Sequence, residues 1–222
     1  MATELEQVRA LSLVPMKSEQ ETKRVEIIML KFKEAPAVID DAISRIINNT
    51  QYPFKLTIYD NRLNTANTSK IWNKLVSEST CDYVCIIDSD AFIQATEPCW
   101  LTRLMESVEE TGIVVPVGME SGGINKALQA ASYGSTRRSN GAWSGFCFLF
   151  KKTIWDQFKF DEQFYIYGQD SEWAIRTMKQ GHPAVIREDV WVRHLGSYSF
   201  KDDPLREADK DIARYLYQKK TK

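Results

Sequence analysis

The stretch Tyr83-Val84-Cys85-Ile86-Ile87-Asp88-Ser89-Asp90 is a short apolar run that ends in two carboxylates two positions apart. The run is too short to span a membrane and rich in β-branched residues, which favours a central strand of an α/β sheet over a helix. Ligands bind such sheets at the carboxyl ends of the strands. Two neighbouring acids repel each other unless a cation lies between them, and their oxygen atoms suit Mg²⁺ or Mn²⁺ bound to a diphosphate. The alternative is a turn that simply ends the strand, since Asp and Ser are also common turn residues.

Outward from this run, the hydrophobic pattern alternates between strand and helix. The chain has 222 residues, of which 43% are hydrophobic, and this suffices for one domain with a full core. The alternation predicts a single-domain α/β fold with a doubly wound, mostly parallel central sheet flanked by helices. The predicted strands are Val25–Phe32, Phe54–Tyr59, Tyr83–Ile87, Ile113–Val117, Trp143–Phe150 and Ala184–Val192, and the predicted helices are Pro36–Asn48, Asn67–Ser77, Cys99–Thr111, Thr153–Phe158 and Ser171–Lys179.

Composition narrows the function class. The formal net charge is −1 and the sequence has no basic block, so general electrostatic binding to nucleic acid or to an anionic membrane is not indicated. The four cysteines, at positions 81, 85, 99 and 147, include no CxxC pair and show no zinc-type spacing to histidine. Residues 1–24 lack the apolar segment of a secretion signal, and no later run is long enough for a membrane span. These features predict a cytoplasmic protein with no integral membrane segment.

Further polar residues follow the predicted strands or begin a predicted helix. Asp60 and Asn61 end the second strand, where an acid can accept a hydrogen bond from a ribose or a base, although an Asx turn gives the same pattern. Asp170 and Glu172 open a helix, where they can cap free amides or provide a general base. His194 follows a strand and can complete a metal shell begun by carboxylates, or it can be an ordinary surface histidine in a turn.

Taken in order, these motifs resemble those of family 2 type glycosyltransferases of the GT-A fold. The residues that carry the resemblance are VEIIMLKFKE at 25–34, YDN at 59–61, DSD at 88–90, WSGFCFLFKKTIWDQFKFDEQFYIYGQDSEWAIR at 143–176 and RHLGS at 193–197. It covers roughly residues 25–200. One departure is Gln169-Asp170, where the family often has Glu-Asp. Another is Lys31-Phe32-Lys33-Glu34, where the family usually has Pro and Asn after the first strand.

The resemblance implies roles for individual residues. Asp88, Asp90 and His194 would hold a divalent ion, Mn²⁺ or Mg²⁺. Asp170 would remove the proton from the acceptor hydroxyl, with Glu172 as the second candidate, in a reaction that inverts the anomeric centre. The residues implied in binding the donor are Phe32, Glu34, Asp60, Asn61, Asn73, Asp88, Ser89, Ser144 and Gly145.

The resemblance also implies partners and a division of the chain. The donor would be a nucleoside-diphosphate sugar, with a UDP-sugar favoured. The resemblance leaves the acceptor open among a saccharide, a protein, a lipid-linked saccharide and a modified nucleobase. Residues 25–200 would form the GT-A domain, with the nucleotide-binding half at 25–118 and the acceptor and catalytic half at 119–200. Residues 1–24 are expected to be a polar helical extension and residues 201–222 a helical tail.

Two other functions are compatible with this type of sheet. A sugar-phosphate nucleotidyltransferase also uses a divalent ion, but it normally has a Gly-rich basic loop after its first strand, and the segment 31–34 contains no glycine. A transferase-like module that binds nucleotide or sugar without turnover is the other alternative. Gln169, in place of an acid, is the feature that favours it.

Overall fold

The computed structural model describes residues 8–13, 24–62, 67–118, 124–127, 131–196 and 206–221. Its strands are β1 Val8–Leu13, β2 Val25–Lys31, β3 Phe54–Asp60, β4 Tyr83–Asp88, β5 Ala91–Ile93, β6 Ile113–Gly118, β7 Thr136–Arg138, β8 Cys147–Lys151 and β9 Val185–His194. Its helices are α1 Pro36–Asn48, α2 Thr68–Glu78, α3 Trp100–Thr111, α4 Lys152–Gln157, α5 Gln169–Lys179 and α6 Arg206–Thr221. Within these ranges, no helix is both long enough and apolar enough to cross a bilayer.

The strands form one sheet in the order β1-β3-β2-β4-β8-β6-β9-β5, with β7 also paired to β9. Among the described strands, β3, β2, β4, β6 and β9 run in the same direction, while β8 lies antiparallel between β4 and β6. The units β2-α1-β3 and β3-α2-β4 have the parallel crossover connections that the alternating pattern predicts. The predicted fold class, a single α/β domain with a mostly parallel sheet flanked by helices, is confirmed.

Side-chain alternation along the central strands builds two separate cores. In β4, Cys85 and Ile87 belong to the core on one face of the sheet, which includes residues of α1 and α3. Val84 and Ile86 belong to the other core, which includes residues of α2, α4 and α5. All four side chains are at most 1% exposed. A strand covered on both faces has no polar face, and this explains why the sequence here is a continuous apolar run.

Several boundaries differ from the sequence-based prediction. The helical extension predicted for residues 1–24 is wrong for Val8–Leu13, which form β1 and pair antiparallel with β3; the rest of that extension, except residue 24, lies outside the described residues. The strand predicted from Trp143 begins only at Cys147. The short strands β5 and β7 were not predicted. A three-residue strand is too short to show a periodic pattern. Its pairing partner is also distant in sequence, so no local signal indicates it.

The first half of strand β9 contains a buried ion-pair network, several residues before His194, the last residue of the strand. The pairing of β6 with β9 shifts register between Pro116 and Val117. Arg187, with 2% of its side chain exposed, pairs with Asp189 at 2.7 Å and with Glu106 at 3.1 Å. Because Arg187 and Asp189 are both buried, loss of one partner would leave the other with weaker charge compensation: Asp189 would keep Arg103 at 3.5 Å, and Arg187 would keep Glu106.

Candidate active site

A cleft of about 290 Å³ lies at the carboxyl ends of the parallel strands. Strands β2, β3, β4 and β9 end at this edge, so residues far apart in sequence meet there. Most of the residues predicted for the site line this cleft. They are Phe32, Glu34, Asn61, Asp88, Ser89, Asp90, Ser144, Gly145, Asp170 and His194.

Asp88, Asp90 and His194 form a compact cluster. Asp88 is the last residue of β4, and Asp90 lies in the short turn before β5. Because β5 pairs antiparallel with β9, with Ala91 opposite His194, the imidazole is brought next to both acids. His194 Nε2 lies 3.4 Å from an oxygen of Asp88 and 3.2 Å from an oxygen of Asp90. One ligand atom from each residue lies within 4.8 Å of the other two, which is the spacing of a candidate metal site.

The electrostatics of the cluster are those of a cation site. Loss of hydration raises the pKa of Asp88 to about 6, although the hydrogen bond with His194 acts in the opposite direction. Burial disfavours the charged imidazole, but the hydrogen bonds and negative charges of Asp88 and Asp90 together raise the pKa of His194 to about 10. The two acids therefore favour a positive charge at this position. Two carboxylates and one imidazole are a donor set that fits Mn²⁺ or Mg²⁺, with the imidazole proton released on binding.

Asp170 lies on the same cleft, in the first turn of α5. The helix begins after Gly168, whose φ of 81° turns the chain sharply into it. One carboxylate oxygen of Asp170 accepts a hydrogen bond from the amide of Gly145 at 2.7 Å, and the other accepts one from the amide of Ser171 at 2.7 Å. Burial nevertheless raises the pKa of Asp170, so these amides do not keep its carboxyl as acidic as capping alone would suggest.

The approach of Gly145 to Asp170 requires a residue without a side chain. A Cβ at position 145 would lie 2.5 Å from Asp170 Cβ and 2.8 Å from its carboxylate oxygen. The preceding residue, Ser144, is held by Asn125, whose side chain accepts the Ser144 amide at 2.9 Å and donates to the Ser144 carbonyl at 3.2 Å. Asn125 is fully buried and was missed by the sequence analysis, because a lone asparagine in a loop-rich segment carries no recognisable pattern.

Three predicted residues do not line the cleft in the described part of the chain. Asp60 is bound by Arg62, and the hydrogen bond from this guanidinium lowers the pKa of the carboxyl. Glu172 is buried and forms an ion pair with Arg176 at 2.6 Å. Asn73 bonds both the backbone N–H and the carbonyl of residue 160, which attaches α2 to the turn after α4. Each of these contacts accounts for the side chain structurally, and a role for any of them in donor binding or catalysis stays a prediction.

The cleft also contains residues that the sequence analysis did not assign to it. Phe146 stacks on the imidazole of His194, with ring centroids 5.2 Å apart. Thr68 and Trp72 both line the cleft, and they lie four residues apart on one face of α2, the helix that follows Asp60 and Asn61 in the chain. Other lining residues are Leu30, Ile166, Tyr167, Gly168 and Gln169.

Helix α6 packs against the segment 161–170, of which residues 166–170 line one wall of the cleft. The carboxylate of Asp209 accepts the backbone N–H of Tyr167 at 3.2 Å. Ala213, which is 7% exposed, faces Gly168 so closely that a Cβ on Gly168 would lie 3.4 Å from that of Ala213. The helix lies within the range predicted as a helical tail, and its contacts connect it directly to the wall that carries the proposed base.

No family model matches the chain, and no curated protein matches its sequence. Solved structures do match. They include GalNAc-T7 with UDP, GalNAc and Mn²⁺, at 10% identity and a TM-score of 0.62 over 79% of this chain and 44% of that one. They also include the mannosyltransferase PcManGT from Pyrobaculum calidifontis with GDP-Man and Mn²⁺, at 16% identity and a TM-score of 0.61 over 89% of this chain and 62% of that one. A third is TarS from S. aureus, residues 1–349, at 10% identity and a TM-score of 0.57 over 86% and 69%.

These three structures are glycosyltransferases of the GT-A fold, and the present chain shares that fold. The chain spans about 44% and 62% of the lengths of the first two. At these identities the likeness establishes the architecture alone. The candidate metal cluster and the carboxylate of Asp170 are observations on this chain's own residues.

Proposed function

We propose that the protein is a metal-dependent glycosyltransferase that moves a sugar from a nucleoside-diphosphate sugar to an acceptor hydroxyl, with inversion at the anomeric carbon. The observation that carries this proposal is the presence, in one cleft, of the Asp88, Asp90 and His194 cluster and of the Asp170 carboxylate. The first group suits a divalent ion and the second suits proton removal. The reaction needs both functions at the same place.

Asp88, Asp90 and His194 would hold Mn²⁺ or Mg²⁺. When bound, the ion stabilises the negative charge that develops on the nucleoside-diphosphate leaving group. GalNAc-T7 and PcManGT, which share the fold, were both solved with Mn²⁺, the first with UDP and the second with GDP-Man. Phe32, Glu34, Asn61 and Ser89 line the same cleft and would contact the nucleoside part of the donor, for which a UDP-sugar is the first choice.

Asp170 would take the proton from the acceptor hydroxyl. Its carboxylate is held in place by the Gly145 amide, so the oxygen that receives the proton has a fixed position. Burial raises the pKa of Asp170, and this makes its carboxylate a stronger base than an ordinary one. Glu172 is tied to Arg176 outside the cleft lining, and this favours Asp170 over Glu172 as the base.

The donor site is tested by thermal stabilisation of the pure protein with UDP, GDP and dTDP, each with and without Mn²⁺. A ligand at 100 times its Kd stabilises the native state by about 2.7 kcal/mol, which for a chain of this size raises the Tm by roughly 5–11 °C. We expect a Mn²⁺-dependent shift with one diphosphate, lost in Asp90→Ala and retained in Asp82→Ala, an exposed acid before the same strand. If no nucleotide changes the Tm, with or without Mn²⁺, the donor-site assignment is wrong.

Turnover separates a transferase from a module that only binds nucleotide. Many transferases slowly hydrolyse their donor, so release of the nucleoside diphosphate from the matching sugar donor can be followed without knowing the acceptor. Wild type should release it in a Mn²⁺-dependent manner, and Asp170→Asn should be slower by about 10²-fold or more. Binding of the diphosphate without any release by wild type would favour the binding-module alternative, which Gln169 next to Asp170 already suggests.

A further inference from the structure

Two buried polar atoms in the cleft wall have no partner among the residues that the structure describes. They are the indole Nε1 of Trp72 and the amide Oε1 of Gln169. Both side chains line the cleft, and they are 4% and 7% exposed. Buried polar groups in native proteins are nearly always hydrogen-bonded, because the loss of water is otherwise not offset. A buried donor and a buried acceptor left over in the same cleft indicate a polar ligand.

The indole of Trp72 is unusual within this protein. Its orientation is fixed by ring contacts with Phe148 at 6.1 Å and Phe160 at 5.3 Å. Four of the other five tryptophans donate an indole hydrogen bond to a protein oxygen in the described structure: Trp100, Trp155, Trp173 and Trp191. Trp72 lines the cleft, and its buried indole N–H has no described acceptor.

Gln169 supplies an acceptor without adding charge. The cleft already holds the carboxyl groups of Asp88, Asp90 and Asp170, and a fourth acid next to Asp170 would increase their repulsion. A neutral ligand group next to Gln169 adds no further negative charge beside Asp170. A hydroxyl is neutral, and it can accept a hydrogen bond from an indole N–H or donate one to an amide oxygen.

We propose that Trp72 and Gln169 bind hydroxyl groups of a sugar in this cleft, and so help to determine which sugar is used; this rests on the proposed glycosyltransferase function. The ligand class is an uncharged polyhydroxyl group, in the first instance the glycosyl part of the donor. Each residue acts on a separate hydroxyl or on a shared one. Both atoms are buried on residues that line the cleft, and the terminal torsion of glutamine is broad enough for its amide to turn toward a bound hydroxyl.

The test compares the affinity for a nucleoside diphosphate with that for its sugar conjugate, both with Mn²⁺, by titration calorimetry. The ratio of the two Kd values is the sugar increment. Gln169→Met and Trp72→Phe should each leave the Kd of the diphosphate within about twofold and reduce the sugar increment by roughly 3- to 10-fold, the effect of one neutral hydrogen bond. Gln169→Glu keeps acceptor oxygens, so it should retain more of the increment than Gln169→Met.

Thermal stability distinguishes a ligand-binding role of Gln169 from a structural one. Replacing a residue with a structural role would lower the Tm, whereas replacing a residue that only binds ligand would not. Gln169→Met has nearly the same volume and removes an acceptor that has no described donor, so its Tm should equal or exceed that of wild type. Trp155→Phe is the matched control for Trp72→Phe, because its indole N–H donates to Asn73 at 3.2 Å. This control should lower the Tm more than Trp72→Phe does and leave the sugar increment unchanged.

A second arm identifies the source of the hydroxyl. Glucose, galactose, mannose and N-acetylglucosamine are added to protein saturated with the diphosphate and Mn²⁺. If the variants keep the donor increment but weaken binding of one free sugar, the hydroxyl belongs to the acceptor and the hydroxyl site is supported. An unchanged increment together with unchanged sugar binding in both variants overturns the inference, as does a Tm several degrees lower in Gln169→Met. Failure of wild type to bind any diphosphate overturns the proposed function itself and is recognised separately.

Discussion

Replacement of Gly145 by alanine should separate substrate binding from turnover. In the structure the Gly145 amide donates to an oxygen of Asp170 at 2.7 Å, and an added Cβ would lie 2.5 Å from Asp170 Cβ. Carbon atoms in contact are normally at least about 3.5 Å apart. The methyl group therefore requires Asp170 or the backbone at 145 to move by about 1 Å, judged from the difference between these two distances.

The size of the effect follows from this displacement. Forcing an extra methyl group into a packed site costs about 1–3 kcal/mol, which in a chain of this length lowers the Tm by roughly 2–12 °C. A misplacement of about 1 Å in a catalytic group can lower the rate on the order of 10²-fold. The affinity for Mn²⁺ and the nucleoside diphosphate should change little, because Asp88, Asp90 and His194 are positioned by β4, β5 and β9.

The assay measures release of the nucleoside diphosphate from the donor, with affinity followed by calorimetry and stability by thermal melting. Gly141→Ala is the matched control, since it lies in the same glycine-containing segment and a Cβ there would have no described atom within 4 Å. We expect Gly141→Ala to resemble wild type in all three measurements. Wild-type turnover by Gly145→Ala would refute the argument that the Gly145 contact fixes the position of the base.

Three further perturbations test the roles of single elements. Burial raises the pKa of Asp170 in the folded protein above its value in the unfolded chain. The stability that this shift contributes is therefore present at low pH and lost as the pH rises through the folded pKa. Asp170→Asn should remove this part of the pH dependence of the unfolding free energy, as measured by urea titration. Ala213→Glu buries a charge between α6 and the cleft wall and should lower both the Tm and turnover, whereas Ile212→Glu on the exposed face of α6 should change neither. Arg187→Met leaves Asp189 with the longer contact to Arg103, at 3.5 Å, and should cost at most about 3–5 kcal/mol in urea unfolding, with Mn²⁺-dependent nucleotide binding retained.

The parts of the fold that the sequence predicted are those with strong local patterns. β4 is apolar throughout because both its faces are covered, and that pattern needs no knowledge of its neighbours. The helices α1, α2 and α3 follow strands with amphipathic spacing and were placed within one or two residues. β1 was not recognised, because its short sequence VRALSL lies within a charge-rich stretch and its pairing partner, the edge of β3, is distant in sequence.

The candidate site divides in the same way. Site residues at strand ends could be predicted from sequence, because the carboxyl ends of parallel strands share one edge of the sheet. The structure brings Asp88, Asp90 and His194 together at that edge. The contacts that hold the site are long-range and left no local signal. Asn125 bonds Ser144 across 19 residues, and β5 aligns Asp90 with His194 through a three-residue strand.

The sequence by itself determined the alternation of the longer strands and helices after residue 25, the buried central strand and the acids that follow it. Burial on both faces and turn chemistry are encoded in neighbouring residues. Only the tertiary structure decided which acids share a cleft. It placed Asp170 against Gly145 and left Glu172 in an ion pair behind the wall, although both acids open the same helix. The physical reason is that residues two positions apart on a helix point in different directions, and which of the two faces the cleft depends on how the helix packs.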